Sequence, residues 1–233
     1  MQTDKELEDF ISSMGDAIID GVKRFKQRAG RPLTIEIAGL PNAGKTTVIE
    51  IVDHFFRRHR LLTHTPPEGP VVVPKHLKRS AMRYNVALGA YAVEVLTQFT
   101  NDPHIDVLLL DRGPFDRACW FRTFAAINKV SSEDAERNVG YLTQNTFHEM
   151  IDHAFLLTCT PSVALKREAM WKLVHNEGDT VNKELLVALH QVFPTSFREF
   201  SLDKGSVIDT SNLSRQQTAI ALLKIVCDKL RKT

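Results

Sequence analysis

The segment Gly39-Leu40-Pro41-Asn42-Ala43-Gly44-Lys45-Thr46 is the strongest constraint on what this chain can fold into. It fills every fixed position of the pattern G-x-x-x-x-G-K-[ST]. The apolar run Leu33 to Ala38, with Thr34, Ile35, Glu36 and Ile37 alternating, precedes it and reads as a strand. A helical pattern from about Lys45 to Arg58 follows. A glycine loop between a strand and a helix turns backbone N–H groups inward, where they and the helix N-terminus attract phosphate oxygens. Gly39, Asn42, Ala43, Gly44, Lys45, Thr46 and Thr47 are therefore the expected nucleotide-binding residues. Lys45 is expected to reach the β- and γ-phosphates, and the Thr46 hydroxyl to ligate Mg²⁺.

The rest of the chain fits an α/β protein. Its 233 residues are 43% hydrophobic and 25% charged, which excludes a disordered tail, a collagen-like fibre and a coiled-coil rod. Thirty Lys and Arg against 28 Asp and Glu leave a net charge of +2, so overall charge makes no case for nucleic acid or a membrane surface as partner. Cys119, Cys159 and Cys227 are far apart and odd in number, which argues against a disulfide framework or a zinc site. Asp4, Glu6, Glu8 and Asp9 make the start wrong for a targeting peptide. No apolar run approaches the roughly 18 residues of a membrane helix, and a cytoplasmic setting is expected.

Strand-like and helix-like runs alternate along the chain. Leu7, Phe10, Ile11, Met14, Ile18, Val22 and Phe25 mark an amphipathic helix before Arg31-Pro32. This extension, residues 1–30, is expected to pack on the main domain or on a second subunit, as in a homodimer. Further strands are expected at Leu61 to Thr65, Asp106 to Leu110, Ala154 to Cys159 and Val207 to Asp209. Helices are expected from Pro74 to Phe99, Phe115 to Ile127, Ser131 to Asp152, and Val181 to Phe200 with an interruption at Pro194. Ser214 and Gln217 form a capping box for the last helix. The sum is a three-layer fold over residues 31–233, with a five-stranded, mainly parallel sheet, helices on both faces and a helical lid at about 161–180.

A phosphate loop alone does not separate switches, motors and kinases. A GTPase needs N-K-x-D, and Asn128-Lys129-Val130-Ser131 has Ser at the decisive place and no apolar strand before it. No transporter-type signature loop follows, and little chain is left for the extra helical domain of a ring ATPase. At the end of the third strand, Asp111 and Arg112 stand where ligands collect in an open α/β sheet. Asp111 is suited to holding Mg²⁺ through water or orienting the attacking group. Arg112 is suited to gripping a phosphate or positioning the acceptor.

These residues resemble the thymidylate kinase and deoxynucleoside kinase superfamily of P-loop phosphotransferases. The phosphate loop and Asp111-Arg112 match, and three weaker matches follow in order. They are Thr65-Pro66-Pro67-Glu68-Gly69 after the second strand, Pro161 through Leu165-Lys166-Arg167 at the lid, and Val207 to Ser211 beside the nucleotide base. The chain departs from the family in having Asp111-Arg112-Gly113 where nucleoside kinases carry Glu-Arg-Ser. It also has Trp171-Lys172 where lids carry further arginines, and about 30 residues before the first strand. The resemblance implies that Glu68 is the acid that deprotonates a 5′-hydroxyl and that Arg167 is a lid cation.

The acceptor pocket is expected between the Pro74–Phe99 helix and the helix after Asp111. Tyr84, Tyr91 and Gln98 recur every seven residues on one face, with Arg83 adjacent. They would suit a stacked nucleobase, and an ordinary packed face is the other reading. Arg117 and Arg122, within the cluster Phe115, Asp116, Arg117, Trp120, Phe121 and Arg122, are candidates for an acceptor phosphate. Lys166, Arg167 and Lys172 would stabilise transferred charge on lid closure. The expected activity is ATP- and Mg²⁺-dependent transfer of the γ-phosphate to a nucleoside or nucleoside monophosphate. Another hydroxyl acceptor, a nucleic-acid 5′-end, or a slow regulatory ATPase are the alternatives.

Overall fold

The computed structural model describes residues 2–171 and 183–232. Five strands form one parallel sheet: β1 (Leu33–Gly39), β2 (Thr63–His64), β3 (Val107–Asp111), β4 (His153–Thr158) and β5 (Gly205–Asp209). Their order is β2-β3-β1-β4-β5. β1 is central, and all seven of its residues are buried. Such a strand is usually near-continuously apolar, because both its faces are covered. Here two polar residues, Thr34 and Glu36, are also fully buried in it.

The helices are α1 (Gln2–Ala29), α2 (Lys45–Arg58), α3 (Gly69–Val72), α4 (Ala81–Phe99), α5 (Pro114–Ala126), α6 (Ser132–Leu142), α7 (Asn145–Met150), α8 (Pro161–Trp171), α9 (Lys183–Ser201) and α10 (Arg215–Lys232). α1, α2 and α10 pack together, and α4, α5, α6 and α9 form a second group around α5. The fold is thus three-layered, with the sheet in the middle. Phe56, Phe115, Phe121, Phe155, Phe193 and Phe197 are fully buried in the core.

α1 shares this core. Ile18 and Val22 are fully buried, and a Cβ at Gly21 would lie 2.9 Å from the Leu230 Cβ of α10. Lys26 pairs with Asp106 at 2.7 Å. Arg31 then grips both carboxylate oxygens of Asp152 at 2.8 Å.

Three expected helices differ in extent. The long helix expected from Pro74 starts at Ala81, because Lys75–Arg79 forms a 3₁₀ turn. Ser80 is extended and caps α4, its hydroxyl accepting from Arg83 N at 3.3 Å. The helix expected over 131–152 breaks after Leu142, where the Thr143 hydroxyl bonds back to Val139 O at 2.8 Å. α9 runs on through Pro194, held by the buried Phe193 and Phe197 on either side. The capping box is formed: Gln217 N donates to Ser214 Oγ at 3.1 Å, and Ser214 N to Gln217 Oε1 at 3.0 Å. The turn expected at Asn176 to Asp179 lies outside the described residues.

Register places the chemistry. Ile37 pairs with Asp111 and Gly39 with Leu157. The loop leaving β1 therefore emerges at the centre of the C-terminal sheet edge, beside the end of β3. Successive connections diverge to opposite sides there, which opens a crevice.

Candidate active site

The loop after β1 takes its shape from three residues. Gly39 has φ +153°, and a Cβ there would lie 2.3 Å from Leu157 O, so the chain leaves the sheet pressed on β4. Asn42 and Gly44 follow with φ +59° and +93°. Glycine adopts such angles freely, and Asn tolerates them best among the others. Together they turn the chain back into α2.

Lys45 opens α2 with 6% of its surface exposed, and its ammonium donates to Leu40 O at 3.0 Å. Burial pushes its pKa down to about 8, with Arg112 adding repulsion, while Asp111, Asp116 and Glu68 oppose both. Thr46 Oγ1 donates to Asp111 Oδ2 at 3.2 Å. The other oxygen, Asp111 Oδ1, is buried and has no hydrogen-bond partner among the described residues. Burial raises the Asp111 pKa, and Lys45 and Arg112 pull against that.

Arg112 is the hub. It leaves β3 with φ +66°, its N–H still bonded to Ile37 O at 3.1 Å. Nε donates to Glu68 Oε1 at 2.6 Å. Nη1 reaches Gly39 O at 3.1 Å and the two Asp116 oxygens at 3.3 and 3.2 Å. The guanidinium also lies 5.7 Å from the Trp120 ring centre. Burial disfavours its charge, but Asp116, Glu68 and Asp111 outweigh that and raise its pKa. Asp116 Oδ1 in turn accepts from Gly39 N at 2.9 Å.

Glu36 supports this set from beneath. Its fully buried carboxyl accepts from Asp116 N at 2.7 Å and Phe115 N at 3.3 Å, at the first turn of α5. Burial raises its pKa to about 8, Asp116 adding to the rise, while the two N–H groups and Arg117 oppose it. The sequence reading missed this role. Its only sign was an acid in the middle of a strand that is otherwise apolar or neutral.

Two cavities flank the phosphate loop, one lined by Asn42 to Val48 and the other reached by Pro41. The first, about 450 Å³, is lined by the loop from Asn42 to Val48 and by Arg167, Met170, Thr210, Leu213, Arg215 and Thr218. Thr47 is among these residues. Arg167 is fastened here: it donates to Asn42 O at 3.0 Å, Thr210 Oγ1 at 3.0 Å and Thr210 O at 2.6 Å. Asn42 Nδ2 answers by donating to Glu168 at 2.9 Å and Ala164 O at 3.2 Å. Arg167 thus joins α8 to the phosphate loop instead of standing off as a free lid cation. Lys166 is exposed. Lys172 and the expected lid beyond Trp171 lie outside the described residues. Leu213, Arg215 and Thr218 had no motif to announce them, since only the tertiary fold brings the start of α10 to the loop.

The second cavity, about 280 Å³, is lined by Pro41, Glu68, Pro70, Lys78, Tyr84, Asn85, Leu88, Arg112, Arg117, Trp120 and Phe124. Tyr84 OH, Asn85 Nδ2, Arg117 Nε and Nη2, and Trp120 Nε1 are buried without hydrogen-bond partners among the described residues. Buried polar groups are rarely left unsatisfied, so this cluster makes the cavity a candidate site for a polar ligand. Asn85 and Lys78 were not anticipated.

Of the residues expected on the acceptor side, Glu68, Tyr84, Arg112 and Arg117 meet in this cavity. Tyr91 lies behind it, its hydroxyl donating to Pro67 O at 2.8 Å. Gln98 and Arg83 are exposed. Residues seven apart share a helical face, but each step also climbs about 10 Å, which carries Gln98 away from the site. Arg122 points elsewhere. It bonds Glu136 at 2.9 Å and Glu199 at 2.5 Å, on α6 and α9, and covers the Phe200 ring at 4.5 Å.

A divalent cation fits the loop edge. Thr46 offers a hydroxyl there, and Asp111 offers a buried carboxylate oxygen that nothing else uses. Among the described residues no cluster of three His, Cys, Asp or Glu side chains is present. Such a cation would therefore draw its other ligands from phosphates and water, as Mg²⁺ does. Among the described residues no helix is long and apolar enough to cross a membrane.

No protein-family model matches the chain, and no curated protein matches it by sequence. Solved structures do match. A deoxyadenosine kinase from M. mycoides with bound dATP has a TM-score of 0.59 at 14% identity, covering 83% of this chain and 98% of that one. A thymidylate kinase from Candida albicans has a TM-score of 0.59 at 15% identity, covering 84% and 91%. The M. mycoides enzyme with bound dCTP has a TM-score of 0.57 at 17% identity, covering 86% and 100%. Residue identities are low, but the matches span 83–86% of this chain and 91–100% of the others, and the chain has the fold of these P-loop nucleoside and nucleotide kinases.

Proposed function

We propose that the protein is a phosphotransferase that moves the γ-phosphate of ATP to a nucleoside or nucleoside monophosphate. The observation that carries this reading is the arrangement around the phosphate loop. A cavity lined by the loop lies on one side, and a cavity with a carboxylate–guanidinium pair and unsatisfied buried donors lies on the other. Two cavities meeting at one loop suit transfer between two bound molecules. A hydrolytic switch needs only the first.

In this reading the loop N–H groups and Lys45 hold the donor phosphates, the ammonium exchanging its bond to Leu40 O for phosphate oxygens. The base of ATP occupies the cavity beside Thr210, Arg215 and Met170. Thr46 and Asp111 hold Mg²⁺, whose charge offsets that of the phosphates. Glu68 accepts the proton of an attacking hydroxyl. As the acceptor oxygen bonds to the γ-phosphorus, the bond from that phosphorus to the bridging oxygen breaks, and ADP leaves with that electron pair. Arg112 stays beside the reacting oxygens, held in place by Asp116 and Gly39 O.

A screen of nucleosides, nucleoside monophosphates and small alcohols with ATP and Mg²⁺ tests the reading, with Lys45→Ala as the blank. ADP formation that rises with a given acceptor, and disappears in the blank, is the expected result. Hydrolysis indifferent to every acceptor would instead identify a regulatory ATPase.

A further inference from the structure

Arg117 is a buried arginine with one edge that makes no hydrogen bond among the described residues. It lies on α5, five residues beyond Arg112, and is 3% exposed. Its nearest carboxylate oxygen is Asp116 Oδ2, 4.0 Å from Nη1, which is beyond hydrogen-bond range. Nε and Nη2 have no hydrogen-bond partner among the described residues. Those two nitrogens lie on the same edge of the planar guanidinium. Their N–H bonds run parallel, the geometry that takes two oxygens of a phosphate or carboxylate at once.

The carboxylates nearby are already engaged. Glu68 takes Arg112 Nε, Asp116 takes Gly39 N and Arg112 Nη1, and Asp111 takes the Thr46 hydroxyl. Lys78 adds a further cation at the cavity wall, 5.7 Å from the Tyr84 ring centre. The other unsatisfied groups have the same polarity. Asn85 Nδ2 and Trp120 Nε1 can only donate, and the Tyr84 hydroxyl can donate as well. A neutral nucleobase presents donors and acceptors mixed along its edges. An oxyanion presents acceptors alone, which match the donors of this wall. Buried guanidinium N–H groups without acceptors are costly, so a ligand whose oxygens accept from both nitrogens is strongly favoured over a neutral analogue.

We propose that the acceptor of this enzyme carries its own anionic oxygens and that the free edge of Arg117 grips them. The inference rests on the kinase reading above and narrows its substrate class to phosphorylated or carboxylated molecules, away from neutral nucleosides. The oxyanion has two sources. It is the attacking group itself when the acceptor is a nucleoside monophosphate. A phosphate oxygen then bonds to the γ-phosphorus, ADP departs, and a dianionic acceptor has no proton to lose. Otherwise it is a handle on a molecule whose separate hydroxyl attacks and gives its proton to Glu68.

The test uses the full chain with ATP and Mg²⁺ and three acceptor panels. These are nucleoside monophosphates, phosphorylated or carboxylated alcohols, and the matched neutral nucleosides. Turnover confined to an anionic panel is expected, and the productive panel identifies the source. Arg117→Met should raise the acceptor KM about tenfold or more, the value of one or two charge-assisted bonds, with the KM for ATP changed by less than about twofold. Arg117→Lys keeps the charge but loses the paired edge, so it should fall between the two and serves if Arg117→Met does not fold. With ADP present, anionic acceptors should raise the melting temperature of the wild type more than their neutral counterparts do. Neutral nucleosides phosphorylated as well as the anions, with KM unmoved in the Arg117 variants, would overturn this inference and leave the kinase reading standing. Turnover of no panel would overturn both.

Discussion

Arg112 Nε lies 2.6 Å from Glu68 Oε1, and this bond joins the end of β3 to the loop after β2. The two residues are 44 positions apart in sequence, yet they meet on the wall of one cavity. Glu68 is therefore oriented by a guanidinium that Asp116 and Gly39 O hold in turn. A carboxylate fixed in this way can take a proton from an alcohol without first searching for its position.

Glu68→Gln should accordingly lower kcat for a hydroxyl acceptor by roughly 10²–10⁴-fold, the range of one general base. The KM for ATP should change little, since Glu68 does not line the donor cavity. Steady-state kinetics with both substrates varied separates the two parameters. Loss of ATP affinity with kcat intact would remove Glu68 from the proposed role.

In the proposed reaction, Lys45 should give ATP binding a pH dependence. Burial holds its pKa at about 8 in the free protein, and bound phosphates favour the charged form. Below pH 7 the ammonium is already charged, and binding takes up no proton there. At higher pH the free protein is increasingly neutral at Lys45, so binding must take up a proton. Affinity for ATP should fall as pH rises past 8, with a limiting slope of about tenfold per pH unit. Calorimetry in buffers of different ionisation enthalpy should show about half a proton taken up at pH 8. Lys45→Ala should abolish both the uptake and the transfer activity.

Glu36 affects stability in a different window. Its folded pKa of about 8 lies above the ordinary 4.5, so the folded state holds the extra proton between these values. Its contribution is complete at low pH and is lost as pH rises through 8. The slope approaches about 1.4 kcal/mol per pH unit where the difference is one full proton. His153 acts in the opposite sense between its folded pKa of about 4 and its ordinary 6.5, because burial disfavours its charge. Comparison with Glu36→Gln, a neutral stand-in, isolates the first effect. Urea unfolding at pH 5, 6.5 and 8 should show wild type losing stability relative to the variant as pH rises. A constant difference across that range would mean that Glu36 is ionised throughout.

Two glycines of the phosphate loop should respond unequally to Ala. At Gly44 a Cβ meets nothing within 4 Å, so only the φ of +93° is strained, at about 1–2 kcal/mol. At Gly39 the Cβ would lie 2.3 Å from a backbone carbonyl that cannot swing aside, and the loss should be about 3 kcal/mol or more. Chemical denaturation of the two variants measures the difference.

Arg122→Ala should leave transfer kinetics within about twofold of wild type. Its partners Glu136 and Glu199 are more than half exposed, and its cation covers Phe200 on the far side of α5. Exposed pairs contribute little, so a stability loss of about 1–2 kcal/mol, read by thermal melting, is expected. A large rise in acceptor KM would bring Arg122 back to the site.

Local features were readable wherever one stretch of chain carried its own signal. The phosphate loop, the Asp111-Arg112 pair, the capping box at Ser214 and Gln217, and the five strands all follow from spacing and residue type within a few positions. Helix extents were less legible around Ser80 and Thr143, where one hydroxyl competes with the helix for backbone bonds. The acceptor side was half legible. Tyr84, Glu68 and Arg117 were singled out, but Asn85 and Lys78 carry no motif, and Arg83, Gln98 and Arg122 share their chemistry without their position.

The amino-acid order by itself determined that this chain forms a parallel α/β sheet with a glycine loop between its first strand and the helix that follows. Those properties depend on contiguous residues and on the period of the apolar pattern. Only the tertiary structure decided which charges are spent on one another and which remain for a ligand. Arg112, Arg117, Arg122 and Arg167 are all read from the sequence as candidate cations for phosphate or acceptor. Packing ties Arg112 to Glu68 and Asp116, Arg122 to Glu136 and Glu199, and Arg167 to Thr210 and Asn42. It buries Arg117 with one edge unpartnered among the described residues. The reason is physical: a guanidinium's role depends on which acceptors lie within about 3 Å and on how much water is left around it, and both are properties of the assembled fold.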